Sequence, residues 1–100
     1  MALPERLHWL FWEVDPWEID VGRHADYVIA RIVERGRMAD VDWVLATYGD
    51  DRVHRFFRDV GHPELSPRTL SFWRAYFQAK DERWTDTAAW RRSSSVPWIS

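Results

Sequence analysis

The feature that most constrains the fold is an amphipathic stretch at residues 20–36, DVGRHADYVIARIVERG. Its apolar residues recur at intervals of three and four, which is the spacing of one face of an α-helix. Asp20 is suited to accept a hydrogen bond from a first-turn backbone N–H, and Gly36 stands where a left-handed residue would end the helix. Such a helix needs other helices against its apolar face, so the sequence predicts a helical bundle. The apolar positions are Val21, Ala25, Val28, Ile29, Ile32 and Val33.

Shorter helical patterns lie on both sides of this central stretch. Pro4 fits the first turn of a helix, and Asp15-Pro16 ends the first pattern because proline disfavours helix in the residue before it. Ser66-Pro67 is a start signal, with a capping hydroxyl followed by proline at the first helical position. The sequence therefore predicts an all-α fold, a compact bundle of about five short helices. The predicted helices cover residues 4–12, 20–36, 40–48, 51–60 and 67–79.

Several local details follow from the same patterns. Asp40 is expected to cap the helix 40–48, and Asp50 or Asp51 to cap the next one. Trp17 and Ile19 are expected to fill the space between the first helix and the central one.

The helical pattern fades after Lys80. Residues 1–80 are therefore predicted to form a single helical domain, and 81–100 a weakly structured C-terminal tail in which 84–92 could form a weak helix.

Composition excludes several classes of protein. The chain has no cysteine, so it has no disulfide frame, thiolate zinc site, iron–sulfur cluster or cysteine nucleophile. No apolar run approaches the roughly 20 residues that cross a bilayer, and the N-terminus lacks the pattern of a signal peptide. The chain is therefore expected to be cytoplasmic.

Motifs for catalysis are also missing from the sequence. The carboxylate pairs 40/42 and 50/51 stand at predicted helix starts, where acidic caps are expected. The histidines at 8, 24, 54 and 62 show no metal-ligand spacing with one another, and the glycines form no phosphate-binding loop. We therefore expect a protein that is not an enzyme and that uses neither a metal nor another cofactor.

The N-terminal twenty residues combine indole rings with carboxylates. Residues 1–51 carry five arginines against eleven carboxylates, whereas 52–100 carry nine basic residues against five acidic ones, which hints at separate partner surfaces. Because Trp9, Phe11 and Trp12 cannot all face one core, we expect some of these rings to anchor a partner protein. Two alternatives stay open, namely that the indoles fill a small core and that the charges only keep the domain soluble. The predicted partner-binding strip consists of Trp9, Trp12, Glu13, Asp15, Trp17 and Glu18.

An alternative function is suggested by the basic C-terminal half. Helices 51–60 and 67–79 resemble a helix-turn-helix pair in outline, with arginines placed to meet DNA phosphates. The intervening loop is longer than the 3–4 residues of the standard motif, and a pI of about 6.0 is low for a dedicated nucleic-acid binder. The candidate nucleic-acid-binding residues are Arg52, Arg55, Arg58, Arg68 and Arg74.

Four segments of the chain resemble a family of small bacterial helical proteins whose domain has no assigned function. They are LFWEVDPWEID at 10–20, HADYVIARIVERG at 24–36, YG at 48–49 and LSPRTLSFW at 65–73. Glu13 and Arg37 depart from the pattern of that family, as does the tail after Lys80. No catalytic residue carries over, because the family has none assigned.

Members of that family are often encoded beside nucleotidyltransferase-like toxins of the abortive-infection type. The resemblance therefore implies a non-enzymatic, protein-binding partner, an antitoxin or companion that neutralises such a toxin. A DNA-binding transcriptional autoregulator that uses the basic helices between residues 51 and 79 is the alternative. The two roles can coexist in one antitoxin.

Overall fold

Within residues 1–82 and Trp84, which are the residues that this computed structural model describes, four α-helices follow two short 3₁₀ helices. Those residues contain no β-strand, only an isolated bridge between Ala2 and Asp20. The predicted all-α fold is confirmed. The 3₁₀ helices are Glu5–Leu10 and Pro16–Glu18, and the α-helices are α1 (Ala25–Arg35), α2 (Met38–Tyr48), α3 (Asp50–Arg55), which continues as a π-helical segment (Phe56–Val60), and α4 (Pro67–Tyr76).

Helix α1 is the centre of the hydrophobic core, as its apolar pattern predicts. Most of its side chains are buried, including Val28, Ile29 and Ile32, which are fully enclosed. The N-terminal segment covers one side of α1, and the α2–α3 region covers another. The core residues contributed by these neighbours are Leu3, Leu7, Leu10, Phe11, Val41, Val44, Val53, Phe56 and Phe57.

The start of α1 differs in detail from the prediction. Asp20 does accept hydrogen bonds from nearby backbone N–H groups, those of Gly22 and Arg23, each at 2.9 Å. These bonds close a turn, and the α-helix itself begins only at Ala25. The side chain of Asp20 thus stabilises the turn that precedes α1 and does not cap the α-helix itself.

The end of α1 corrects the prediction for Gly36. Its backbone is extended, with φ −78° and ψ 167°, and is not left-handed. Glycine is required there by a close approach, because a Cβ atom on residue 36 would lie 2.6 Å from the carbonyl oxygen of Ile32. Only two residues, Gly36 and Arg37, lie between the end of α1 and the start of α2.

We expect Gly36→Ala to lower the free energy of unfolding by about 1–3 kcal/mol, because the added methyl group forces the Ile32 carbonyl out of place. Gly22→Ala is the matched control, since its Cβ would meet only Asp20 Oδ1 at an ordinary 3.5 Å. Urea denaturation followed by circular dichroism measures both variants. Equal stability of the two variants would contradict this explanation of Gly36.

The predicted cap of α3 is wrong, and that of α2 acts from a different position. Helix α2 begins at Met38, and Asp40 lies within its first turn, where its Oδ2 accepts the backbone N–H of Arg37 at 2.9 Å. The residue that precedes α3 is Gly49, with φ +86°, and Asp50 Oδ2 accepts a hydrogen bond from the Tyr76 hydroxyl at 3.1 Å instead. Asp40 therefore caps α2 from inside its first turn, whereas no side chain among the described residues caps the residue before α3.

The connection after the first helix contains another correction. Ile19 is buried as expected, but Trp17 is exposed and does not fill the interior. The first helix is 3₁₀ rather than α and ends at Leu10.

The C-terminal part of the described chain begins with α4, whose N-cap is confirmed. Ser66 Oγ accepts the Thr69 N–H at 3.2 Å. Beyond α4, the Trp84 ring packs on Phe57, with 5.1 Å between the ring centroids. Arg83 and residues 85–100 lie outside the described residues, so the predicted weak helix 84–92 and most of the predicted tail stay predictions.

Candidate partner-binding surface

The N-terminal segment presents large indole rings to solvent. The exposed fractions are 48% for Trp9, 63% for Trp12 and 66% for Trp17. In a 3₁₀ helix, residues three apart lie above one another, so Leu7 and Leu10 share the side that faces the core while Trp9 lies on another side. The expectation that Trp9 and Trp12 lie at the surface is confirmed, and Trp17 is exposed with them, although it was also expected in the interior. Whether they contact a partner stays a prediction.

Arginine side chains lie over two of these rings. The guanidinium carbon of Arg37 is 4.9 Å from the centroid of the Trp9 ring, and that of Arg35 is 5.3 Å from the Trp12 ring. Contacts of this kind are attractive because a cation interacts favourably with the electron-rich face of an indole. Trp9, Trp12, Arg35 and Arg37 together form what we call the indole–arginine surface.

Beneath this surface, a buried arginine joins the N-terminal segment to α1. Arg31 is only 3% exposed. Its Nη1 donates at 2.9 Å to Glu13 Oε2 and to the backbone oxygen of Leu10, and its Nη2 donates to Glu13 Oε1. The Tyr27 hydroxyl donates to Glu13 Oε1 at 2.9 Å, and Arg31 Nε lies 3.5 Å from Glu64 Oε2. One guanidinium thus holds three segments of the chain together.

The protonation states in this network follow from its geometry. The hydrogen bonds from Arg31 hold the pKa of the Glu13 carboxyl at about 2, against an ordinary value of 4.5, although partial burial opposes the shift. Burial raises the pKa of Tyr27, and its hydrogen bond to Glu13 adds to the rise. At neutral pH the network therefore contains a carboxylate, a guanidinium and a neutral phenol. The carboxylate of Glu13 therefore stabilises the fold. About a third of the side chain is exposed (34%) and is accessible to a partner.

The other acidic members of the predicted strip lie beside Trp17. Asp15 is exposed, and its Oδ1 accepts the backbone N–H of Trp17 at 3.0 Å, which caps the short 3₁₀ helix. Glu18 is exposed as well. The Trp17 ring meets His8 edge-on, with centroids 4.7 Å apart. The predicted strip is therefore divided, with carboxylates near Trp17 and arginines near the other two indoles.

A groove with both apolar and polar lining adjoins the indole–arginine surface. It has a volume of about 460 Å³ and lies between α1, α2 and α4. Gly36, which links Arg35 to Arg37 in the chain, is part of its wall. The apolar lining side chains are the buried Val33, Val41 and Trp73 and the exposed Met38 and Phe72, and the polar ones are Glu34, Ser66, Arg68 and Thr69. This groove could not be predicted from local sequence patterns, because α4 is distant in the chain from α1 and α2.

Two of the five candidate nucleic-acid-binding arginines are engaged inside the fold. Arg52 Nη2 forms an ion pair with Asp26 at 2.6 Å. Arg74 Nη1 donates to the backbone oxygen of Glu82 at 2.8 Å, and its guanidinium carbon lies 4.5 Å from the Trp84 ring. Both side chains therefore have a structural role that does not depend on DNA.

The remaining arginines of that set are more accessible. Arg58 is exposed and pairs with its neighbour Asp59 at 3.1 Å. Arg55 on α3 and Arg68 at the start of α4 are also exposed. These three side chains are the ones that the alternative function would use.

Neither a metal cluster nor a membrane-spanning helix occurs in the described part of the chain. Among residues 1–82 and Trp84, no group of three or more His, Asp or Glu side chains is placed to hold a metal ion. None of the helices in the same residues is both long and apolar enough to cross a bilayer.

Comparison with protein-family models matches residues 7–60 to a family of unknown function (DUF6922). The matched part runs from the first 3₁₀ helix to the end of the π-helical segment, so it contains the exposed N-terminal indoles, the Glu13–Arg31 pair, Arg35 and Arg37. It ends before α4 and Arg68. No curated protein and no solved structure matches the chain.

Proposed function

We propose that the chain, which belongs to the family of unknown function DUF6922, is a non-enzymatic protein-binding partner. The part of the chain that matches the family contains the exposed indoles. The observation that carries the proposal is the exposure of Trp9, Trp12 and Trp17 within one short segment. Tryptophan is among the residues most enriched at the energetic centres of protein interfaces, and large apolar groups exposed together mark interaction sites.

We further propose that the partner is a nucleotidyltransferase-type toxin, which this chain neutralises as an antitoxin or companion. The resemblance of residues 10–20 and 24–36 to proteins encoded beside such toxins supports this partner. Charge supports it too. A nucleotidyltransferase needs a basic pocket for its triphosphate substrate, and the exposed carboxylates of Asp15 and Glu18 beside Trp17 suit such a surface.

The proposal is tested with the gene adjacent to this one in the source genome. We expect that gene to encode a nucleotidyltransferase-like protein whose expression arrests growth of a bacterial host. Co-expression of this chain is expected to restore growth, and the two proteins are expected to co-elute in size-exclusion chromatography. A neighbour without a toxin-like fold, or a toxin whose activity this chain leaves unchanged, would overturn the proposed partner.

DNA binding remains the second candidate function, and the exposure of Arg55 and Arg68 favours it. A salt-sensitive gel shift with the promoter DNA of the operon that is lost on Arg68→Ala would support this role. The engagement of Arg52 and Arg74 within the fold weighs against it, since a DNA phosphate would have to compete with their internal partners.

A further inference from the structure

We infer that the indole–arginine surface binds an acidic peptide segment of the partner, with carboxylates at Arg35 and Arg37 and one large apolar side chain in the adjoining groove. The inference rests on the proposed protein-binding function, because it names the chemistry of the segment bound there. It also corrects the simple picture of an acidic strip, since the end of the strip near Trp9 and Trp12 is basic.

Arg37 is an exposed residue in the link between α1 and α2. Its guanidinium lies over the Trp9 ring, and among the described residues no carboxylate oxygen comes within 4.0 Å of it. A guanidinium carries five N–H donors in a planar arrangement that matches a carboxylate. The ring contact orients the group without using those donors. Arg37 is therefore positioned to donate hydrogen bonds to a carboxylate of another molecule.

The balance of charge around Arg37 points the same way. Arg35 Nε lies 4.0 Å from Glu64 Oε2, but the same carboxylate also serves the buried Arg31, and the Arg35 side chain is 49% exposed. Arg6 and Asp40 pair at 3.8 Å nearby. Positive charge thus exceeds negative charge by one on this part of the surface. The groups that enter this balance are Arg6, Arg31, Arg35 and Arg37 against Glu13, Asp40 and Glu64.

The adjoining groove determines which side chain of the peptide can bind beside the carboxylates. One part of its lining is apolar, with Trp73 and Val41 buried and Phe72 exposed beside them, and the other part is polar and includes the guanidinium of Arg68. An anchor side chain of leucine or phenylalanine size would bury apolar area against these residues. Arg68 in the lining adds a further cation for a carboxylate, whereas a phosphodiester would leave the apolar side chains of the groove without a partner, so a peptide that combines acidic and apolar residues suits this surface better than a nucleic acid.

The test uses the intact chain and a random dodecapeptide phage-display library, so it does not depend on the identity of the toxin. We expect the selected peptides to share Asp or Glu residues that flank one large apolar residue. The synthetic consensus peptide is then titrated by fluorescence anisotropy. Arg37→Glu is expected to weaken its binding by about tenfold or more, and Arg37→Lys by less. Arg23→Glu, at an exposed arginine before α1, is the matched control and is expected to leave binding unchanged.

Circular dichroism and thermal melting show whether Arg37→Glu keeps the fold. If that variant fails to fold, Arg35→Glu replaces it, with the same expected loss. A consensus of basic peptides, the absence of any consensus, or binding that neither charge reversal affects would overturn the inference. So would tight binding of an oligothymidylate that is lost on Arg37→Glu, because that result would assign the surface to nucleic acid.

The outcomes for the two proposals are separable. A toxin complex that forms normally with the Arg37→Glu chain would keep the proposed function and overturn this inference. An acidic consensus that depends on Arg37, combined with no toxin complex, would keep the inference and remove the toxin as partner.

Discussion

Replacing Glu13 by glutamine is expected to lower the free energy of unfolding by about 2 kcal/mol at neutral pH, because it leaves the buried Arg31 with only the more distant carboxylate of Glu64. Removing one member of a buried pair costs about 3–5 kcal/mol, and we take a smaller value since solvent reaches a third of the Glu13 side chain. In a domain of this size, the change corresponds to a fall in melting temperature of about 8–16 °C.

Glu18→Gln is the matched control for this prediction. Glu18 is exposed on the same N-terminal segment, so its replacement is expected to change the stability by no more than about 0.5 kcal/mol. Urea denaturation at pH 7, followed by far-ultraviolet circular dichroism, measures both variants. If the two variants were equally stable, the role assigned to the Glu13–Arg31 pair would be wrong.

The effect of Glu13 also depends on pH in a defined direction. Its pKa is about 2 in the folded protein and about 4.5 when the chain is unfolded, so the unfolded chain binds the proton first as the pH falls. The stability that the pair contributes is therefore complete above about pH 4.5 and is lost as the pH falls from there to about 2. The difference between the wild type and Glu13→Gln is expected to shrink over that same interval.

Replacing Trp9 and Trp12 together by alanine is expected to weaken binding to the proposed toxin partner by about 30-fold or more, which corresponds to at least about 2 kcal/mol. Each indole is a large apolar group whose exposed surface would be buried in a complex, and the overlying arginines hold each ring in place before binding. Isothermal titration calorimetry of the purified pair measures the loss.

Tyr76→Ala provides the control for the tryptophan variants. Tyr76 is an exposed aromatic residue on α4. It belongs neither to the indole–arginine surface nor to the lining of the groove between α1, α2 and α4, so its removal is expected to leave the affinity unchanged. Thermal melting of every variant establishes that it is folded at the temperature of the titration. An equal loss of affinity in Tyr76→Ala would show that the tryptophan effect is not specific to the proposed surface.

The central helix and the identity of the core could be predicted because they depend on local spacing. The intervals of three and four in residues 20–36 identify the helix whose side chains fill the core, and Ser66-Pro67 identifies the start of α4. Predictions that place a helix start at a carboxylate are less accurate. Asp40 serves α2 equally well from inside its first turn, and the sequence does not distinguish the two positions.

The candidate surface could be predicted only in part, because its chemistry comes from residues that are distant in the chain. The exposure of the indoles followed from their crowding, since aromatics at positions 9, 11 and 12 cannot all face inward. The pairing of Glu13 with Arg31 spans 18 residues and converts an apparently free carboxylate into an internal counter-ion. The placement of Arg37 over Trp9 likewise depends on how α2 turns away from α1 at Gly36.

The most direct measurement of the central claim is hydroxyl-radical footprinting of this chain, free and in complex with the proposed toxin partner, with the oxidation of each tryptophan and of Tyr76 quantified by mass spectrometry. In the free chain Trp9 and Trp12 are expected to oxidise readily, and in the complex their oxidation is expected to fall severalfold while that of Tyr76 stays the same. Unchanged oxidation of both indoles in a complex that protects other residues would show that the partner binds elsewhere.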